Sequence, residues 1–101
     1  MFRRFRVNGS SMEPTYHEGD RIIAIRYGVL CAPKAGDVAI VRDPRDGRLL
    51  LKRLVRTEPD GRFYAAGDNE RASTDSKEFG ALSRERIVAK VLWRYYQMKD
   101  N

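Results

Sequence analysis

The chain has one cysteine, Cys31, and one histidine, His17, among its 101 residues. A single cysteine cannot close a disulfide within the chain, and a reducing compartment fits that usage. One cysteine with one histidine also excludes a structural zinc site of the usual Cys/His kind built from this chain alone. No metal and no other cofactor is expected. A Ser-His-Asp arrangement would have to use His17, which sits beside Glu18 and Asp20 and reads as a surface loop residue. Cys31 precedes Ala32-Pro33 with nothing basic arranged around it, and reads as structural. Long apolar runs are missing too. None approaches the roughly 20 residues that a membrane-spanning helix needs. The basic start, Phe2-Arg3-Arg4-Phe5-Arg6, has no apolar stretch behind it of the kind that makes a signal peptide. The expectation is a soluble, cytoplasmic chain, or a membrane-associated one if an anchor has been removed.

What is present points to a folded β domain. Hydrophobic residues make up 42% of the chain, enough for a core, and its length suits a single domain over residues 1–101. Twenty Lys and Arg against fourteen Asp and Glu leave a net charge of +6. A basic surface suits nucleic acid, anionic lipid or an acidic protein, and charge alone does not choose among them. Residues 1–8 read as a strand leading into the fold. The sharper reading is a basic N-terminal arm touching an anionic membrane, since Arg3, Arg4 and Arg6 interleave with Phe2 and Phe5.

Turns recur at short intervals and no 3.6-residue apolar period is sustained. Strands are predicted over 21–25, 38–41, 49–56, 62–66 and 87–96, rich in β-branched and aromatic residues. Asp43-Pro44-Arg45-Asp46-Gly47 and Glu58-Pro59-Asp60-Gly61 are turns. Residues 67–80 are polar and bounded by glycine, so a loop is expected. Ser83 is placed to cap one helical turn. In the last strand, alternation puts Val91, Trp93 and Tyr95 on one face and Leu92, Arg94 and Tyr96 on the other. Core packing is expected to account for most of the aromatics. The fold class is mainly β, a small barrel or coiled sheet.

The stretch around which the chain is organised is Gly9-Ser10-Ser11-Met12-Glu13-Pro14-Thr15, followed by Gly19-Asp20. It reads as a turn that presents a hydroxyl, with Gly9 allowing an unusual φ and Pro14 fixing the backbone. A serine hydroxyl is a poor nucleophile until a base takes its proton. Without a usable histidine, the candidate base is a lysine whose ammonium form is disfavoured by burial. Lys52 has that setting, because on a strand it shares a face with Leu50 and Leu54. Its other reading is an edge-strand lysine that discourages unwanted pairing.

Four boxes of the sequence, taken together, resemble the signal peptidase I family. They are Ser11-Met12-Glu13-Pro14-Thr15 with Gly19-Asp20, Gly36 to Val41, Leu51-Lys52-Arg53-Leu54-Val55, and Gly67-Asp68-Asn69 with Ser73, Asp75-Ser76-Lys77 and Gly80. The Arg26-Tyr27-Gly28 and Leu49 to Arg53 wording is most similar to the small soluble proteases that mature nickel-type superoxide dismutase. The resemblance implies a small coiled-sheet or barrel domain of the type shared with self-cleaving repressors. It implies Ser11 as nucleophile and Lys52 as general base, with the Ser11 backbone N–H as an oxyanion donor. It places Met12 beneath the serine turn and lining the substrate cleft, while Ser10 is assigned to the oxyanion region only as a substitute donor whose register is wrong for that role. Many members of the family add a side-chain hydroxyl two residues before the nucleophile, where this chain has Gly9. Ser73 matches a serine that orients the lysine. Asp75 matches an aspartate paired two positions on, usually with Arg and here with Lys77, which cannot form a bidentate fork.

The expected activity is therefore that of a serine endopeptidase removing an N-terminal leader or propeptide from a protein, after small residues. The substrate would lie as an added extended strand. One alternative is the catalytic domain of a membrane-associated signal peptidase. A self-cleaving repressor domain is disfavoured, because the ten residues before Ser11 hold neither a DNA-binding domain nor an Ala-Gly cleavage site. A third reading is a basic β-barrel binding nucleic acid, with Phe2, Phe5, Tyr64, Trp93, Tyr95 and Tyr96 as stacking groups.

Overall fold

The computed structural model describes residues 2–28, 30–71 and 76–97. Strands form at Phe2–Arg6 (β1), Arg21–Arg26 (β2), Val38–Arg42 (β3), Leu49–Thr57 (β4), Phe63–Ala66 (β5) and Ile87–Tyr96 (β6). They join in one six-stranded sheet in the order β1-β2-β6-β3-β4-β5. Every pairing between neighbours is antiparallel. The mainly β class and the strand leading into the fold at the N-terminus are as expected. A short helix, Ser76–Phe79 (α1), stands within the stretch expected to be loop.

A small protein can fill both faces of one sheet only if the sheet coils. On β3, Ala39 and Val41 belong to one apolar cluster with Tyr27, Leu54, Phe63, Ala65, Leu82 and Ile87. The alternate residue, Ile40, joins a second cluster with Val7, Ile22, Ala24, Ala89 and Val91. The period of two along the strand therefore sends successive side chains into two cores. Leu54 is fully buried in the first cluster. Leu54→Ala is expected to cost about 2–5 kcal/mol. In a domain this size that lowers the thermal midpoint by on the order of 10 °C or more, measurable by circular dichroism.

Three expectations are corrected. The register of β6 against β2 shifts twice: Ala24 pairs with Val91 but Ile23 with Trp93, and Ile22 with Arg94 but Arg21 with Tyr96. Each shift inserts one extra residue, first Leu92 and then Tyr95, so strict alternation ends after Val91. Val91 is buried while Trp93 and Tyr95 are exposed. Second, Phe2, Trp93, Tyr95 and Tyr96 are on the surface rather than in the core. Third, the turn at Arg84–Arg86 is a 3-10 turn for which Ser83 makes no side-chain cap. The Glu85 carboxylate sits below the usual carboxylate range, held first by its own backbone N–H and then by the Ser83 hydroxyl.

Candidate active site

The serine turn hangs between β1 and β2. Val7 N–H donates to the Asp20 carbonyl at 2.8 Å and Gly19 N–H to the Val7 carbonyl at 2.8 Å, so the two strands stay paired beyond their formal ends. Gly9 has φ +80°, a conformation that glycine adopts without strain. Its N–H donates to Glu18 Oε1 at 3.1 Å. The turn then closes on itself, with Glu13 N–H on the Ser10 carbonyl at 3.2 Å and Tyr16 N–H on the Met12 carbonyl at 2.9 Å. Met12 is 1% exposed and packs beneath the turn, as expected.

Below the turn, Asp20 is fully buried. It accepts from His17 N–H at 2.9 Å and from Arg94 Nη1 at 3.1 Å. The same Arg94 nitrogen donates to the Thr15 carbonyl at 3.0 Å. Arg94 can reach inward because the Leu92 bulge turned it there. His17 is half-exposed, with Nδ1 4.0 Å from Asp20 Oδ2.

Lys52 is on β4, opposite Ala39, and only 3% exposed. Its flanks on that face are Leu50, which packs against the first apolar cluster, and the buried Leu54. Two clefts run past the serine turn. The larger, of about 550 Å³, is walled by Phe5, Val7, Ile22, Ile40, Leu49 and Leu51, among others, and reaches Ser11 and Lys52. The smaller, of about 200 Å³, also reaches Ser11 and Lys52, and adds Ser10, Asp43 and Arg45, while Arg48 lies on the walls of both. A serine and a buried lysine thus share the walls of both clefts, one apolar and one charged.

Between turn and strand sits a clasp that the sequence reading left without roles. Arg53, next to Lys52, donates from Nε to Asp68 Oδ1 at 2.8 Å and from Nη2 to Asp68 Oδ2 at 2.9 Å. A third bond runs from Arg53 Nη1 to the Gly36 carbonyl at 3.0 Å. The Thr15 hydroxyl donates to Asp68 Oδ2. The Arg53 guanidinium, and with it the Thr15 hydroxyl, holds the Asp68 carboxyl below its usual range against the opposing effect of burial. Asn69 completes the clasp: its N–H donates to the Ser11 carbonyl at 2.8 Å and its Nδ2 to the Ser10 carbonyl at 3.0 Å. The Gly67-Asp68-Asn69 box was visible as a pattern. That it ties the serine turn to the lysine's strand depends on the sheet bringing together Thr15 and Asp68, 53 positions apart in sequence. Ser73 and Asp75 lie outside the described residues, as does the side chain of Lys77. Among the described residues no group of His, Cys, Asp and Glu is arranged to hold a metal.

The fold and site define a small antiparallel β domain that sets a serine turn and a buried lysine on shared clefts. Comparison with known proteins makes this specific. The model of the signal peptidase family, peptidase S26, matches residues 1–60 and 55–96, and the chain belongs to that family of serine proteases. The chain is 34% identical over 117 residues to the mitochondrial ATP-independent inner membrane protease subunit 1a of Arabidopsis thaliana, covering 89% of this chain and 68% of the relative. It is 29% identical over 110 residues to the mitochondrial inner membrane protease subunit 2 of Schizosaccharomyces pombe, covering 85% and 60%. Over 42 residues it is 36% identical to signal peptidase IB of Staphylococcus aureus, which covers 42% of this chain and 22% of that protein. The expected cytoplasmic setting gains no support from the first two, whose names place them at an inner membrane. Among the described residues no helix is long and apolar enough to cross a membrane.

Proposed function

We propose that this chain is an endopeptidase that uses Ser11 as nucleophile and Lys52 as general base to remove an N-terminal extension from a protein. The observation that carries the reading is the presence of Ser11 and a 3%-exposed Lys52 on the walls of the same two clefts. Burial among leucines works against an ammonium ion, which is the condition for an amine to accept a proton. The Ser11 hydroxyl attacks the scissile carbonyl as Lys52 takes its proton. Lys52 then gives that proton to the leaving amine, and water repeats the cycle on the acyl-enzyme. The Ser11 backbone N–H is the candidate oxyanion donor, since residue 9 has no side chain to supply a second. The larger cleft, bounded by the chain leading into the serine turn and the start of β4, suits an extended peptide with small side chains. The narrower likeness to superoxide dismutase maturation proteases points to a propeptide as the segment removed. The test is cleavage, followed by mass spectrometry, of a protein with a short N-terminal extension ending in alanine. Activity in the parent protein that persists in S11A would overturn the assignment.

A membrane-surface setting is favoured by the outer face of β1, β2 and β6. Pairing sets Arg4, Ile23 and Trp93 in one row and Arg6, Arg21 and Tyr96 in the next. Phe2 and Trp93 are 61% and 53% exposed. These three strands contain no Asp or Glu. Exposed aromatics with arginines suit the headgroup region of an anionic bilayer. The protein is expected to sediment with phosphatidylglycerol vesicles and not with pure phosphatidylcholine ones. The double variant R4E/R6E is expected to lose most of that binding. Equal sedimentation with both lipids, or tighter binding to single-stranded DNA than to the vesicles, would remove this setting.

A further inference from the structure

The connection between β3 and β4 carries two arginines, and each is braced by the aspartate two residues before it. Asp43 is fully buried. It accepts from the Arg45 backbone N–H at 2.8 Å, from Arg45 Nε at 3.1 Å and from Arg45 Nη2 at 2.8 Å. Arg45 also lies 3.9 Å from Glu78 and over the Phe79 ring. The second bracing repeats the pattern on the surface. Asp46 accepts from the Arg48 backbone N–H at 3.0 Å and from Arg48 Nε at 2.9 Å. Arg45 is committed to the fold, because its loss would strand a buried carboxylate. Arg48 is different. Its bonds to Asp46 use the backbone and Nε alone. Among the described residues neither Nη atom of Arg48 donates to the protein.

Arg48 lines both clefts, while its counter-ion Asp46 lines neither. The carboxylate that does line the smaller cleft, Asp43, is held by Arg45, whose guanidinium keeps it well below the usual carboxylate range. The smaller cleft therefore holds the Arg48 guanidinium on one wall with Ser11, braced at Nε by Asp46, and among the described residues its one carboxylate, Asp43, is bonded to Arg45 and reaches Arg48 only through space. A guanidinium braced at Nε, with both Nη groups available, is a receptor for a carboxylate.

We infer that the smaller cleft is a specificity subsite for an acidic side chain of the substrate, read by Arg48. This deepens the proposed peptidase function and rests on it. The apolar larger cleft takes the small residue on one side of the scissile bond, and the smaller cleft takes an Asp or Glu on the other. Arg48 is a specificity-determining residue, and the chemistry stays with Ser11 and Lys52.

The test uses three fluorogenic decapeptides that share an Ala-Ala segment and differ in the next two positions, which are Asp, Asn or Lys. For the parent protein kcat/KM is expected to be about tenfold higher for the Asp peptide than for the Asn peptide, the size of one charge-assisted hydrogen bond. R48E is expected to erase that preference and favour the Lys peptide, and R48Q to bring Asp and Asn level. In parallel, fluorescence anisotropy measures binding of the same peptides, labelled, to the S11A protein. Cleavage with an Asp-to-Asn ratio within twofold, or a ratio that R48E leaves unchanged, overturns the subsite and leaves the peptidase reading standing. Selective binding of the Asp peptide, lost in R48E, without cleavage by the parent protein overturns the peptidase reading and leaves the acidic subsite standing. Absence of both selective binding and selective cleavage overturns the subsite.

Discussion

S11A is expected to fold like the parent protein and to cleave at least about a thousandfold more slowly, since removal of an attacking hydroxyl eliminates the covalent route. Ser11 is only partly buried and its carbonyl, not its hydroxyl, carries the bond to Asn69. The thermal midpoint is therefore expected to stay within about 2–3 °C, the range of a neutral surface change. Lys52 supplies the companion result. K52M replaces a 3%-exposed amine by an apolar chain of similar volume, and is expected to match S11A in lost activity. K52R separates charge from basicity. A guanidinium does not give up its proton, so K52R is expected to be as inactive as K52M. Rates come from the fluorogenic peptides and midpoints from circular dichroism. Activity in K52R above a tenth of the parent value would remove Lys52 from the base role.

The second large effect is expected at Asp68, which touches neither Ser11 nor Lys52. D68N keeps the shape of the side chain but turns one acceptor into a donor facing Arg53 or Thr15. The partly buried fork is then broken at one end, at a cost of about 1–3 kcal/mol. The thermal midpoint falls by roughly 5–20 °C for a chain of this length. Activity is expected to fall about tenfold or more even well below the melting range, because the serine turn and the lysine's strand lose a shared anchor, and small misplacements are expensive in rate. R53K tests the same clasp from the other side, since an ammonium cannot make both bonds. The pH dependence follows from the lowered pKa of Asp68. A depressed carboxylate adds stability that is fully present above its unfolded value, near 4. That stability is lost as pH falls through the lower folded value. D68N is therefore expected to flatten the acid limb of stability, while the parent protein loses midpoint steadily below about pH 4. A D68N protein with parental melting and parental kcat would reduce the clasp to decoration.

The strands were legible because their signals are local. Val38 to Val41 and Leu49 to Arg56 carry β-branched or apolar runs closed by turns with Pro, Asp and Gly, and the structure extends each by a single residue. The burial of Lys52 was legible for the same reason, through its spacing from Leu50 and Leu54. The last strand was half legible. Its limits, Ile87 and Tyr96, follow from composition. Its faces do not, because a bulge is decided by how β2 lies alongside, and nothing in Leu92 or Tyr95 announces one. Trp93 and Tyr95 were misplaced for that reason, since alternation carried past Leu92 sends them to the wrong side. The clasp was hidden differently. Arg53, Thr15 and Asp68 come from three separated stretches, and only the folded sheet brings them within bonding distance. Asp43 and Arg45 read simply as turn residues, since burial of a turn carboxylate leaves no mark in sequence.

Along β4, position 52 is the only one of its neighbours with usable chemistry. Slipping the strand by one residue would bring Leu51 or Arg53 opposite Ala39, and slipping it by two would bring Leu50 or Leu54. Three of those four are hydrocarbons, and the fourth holds its proton too tightly to act as a base. On the proposed mechanism, copies that pair their strands out of step carry no base beside Ser11, so proteolysis waits on correct pairing.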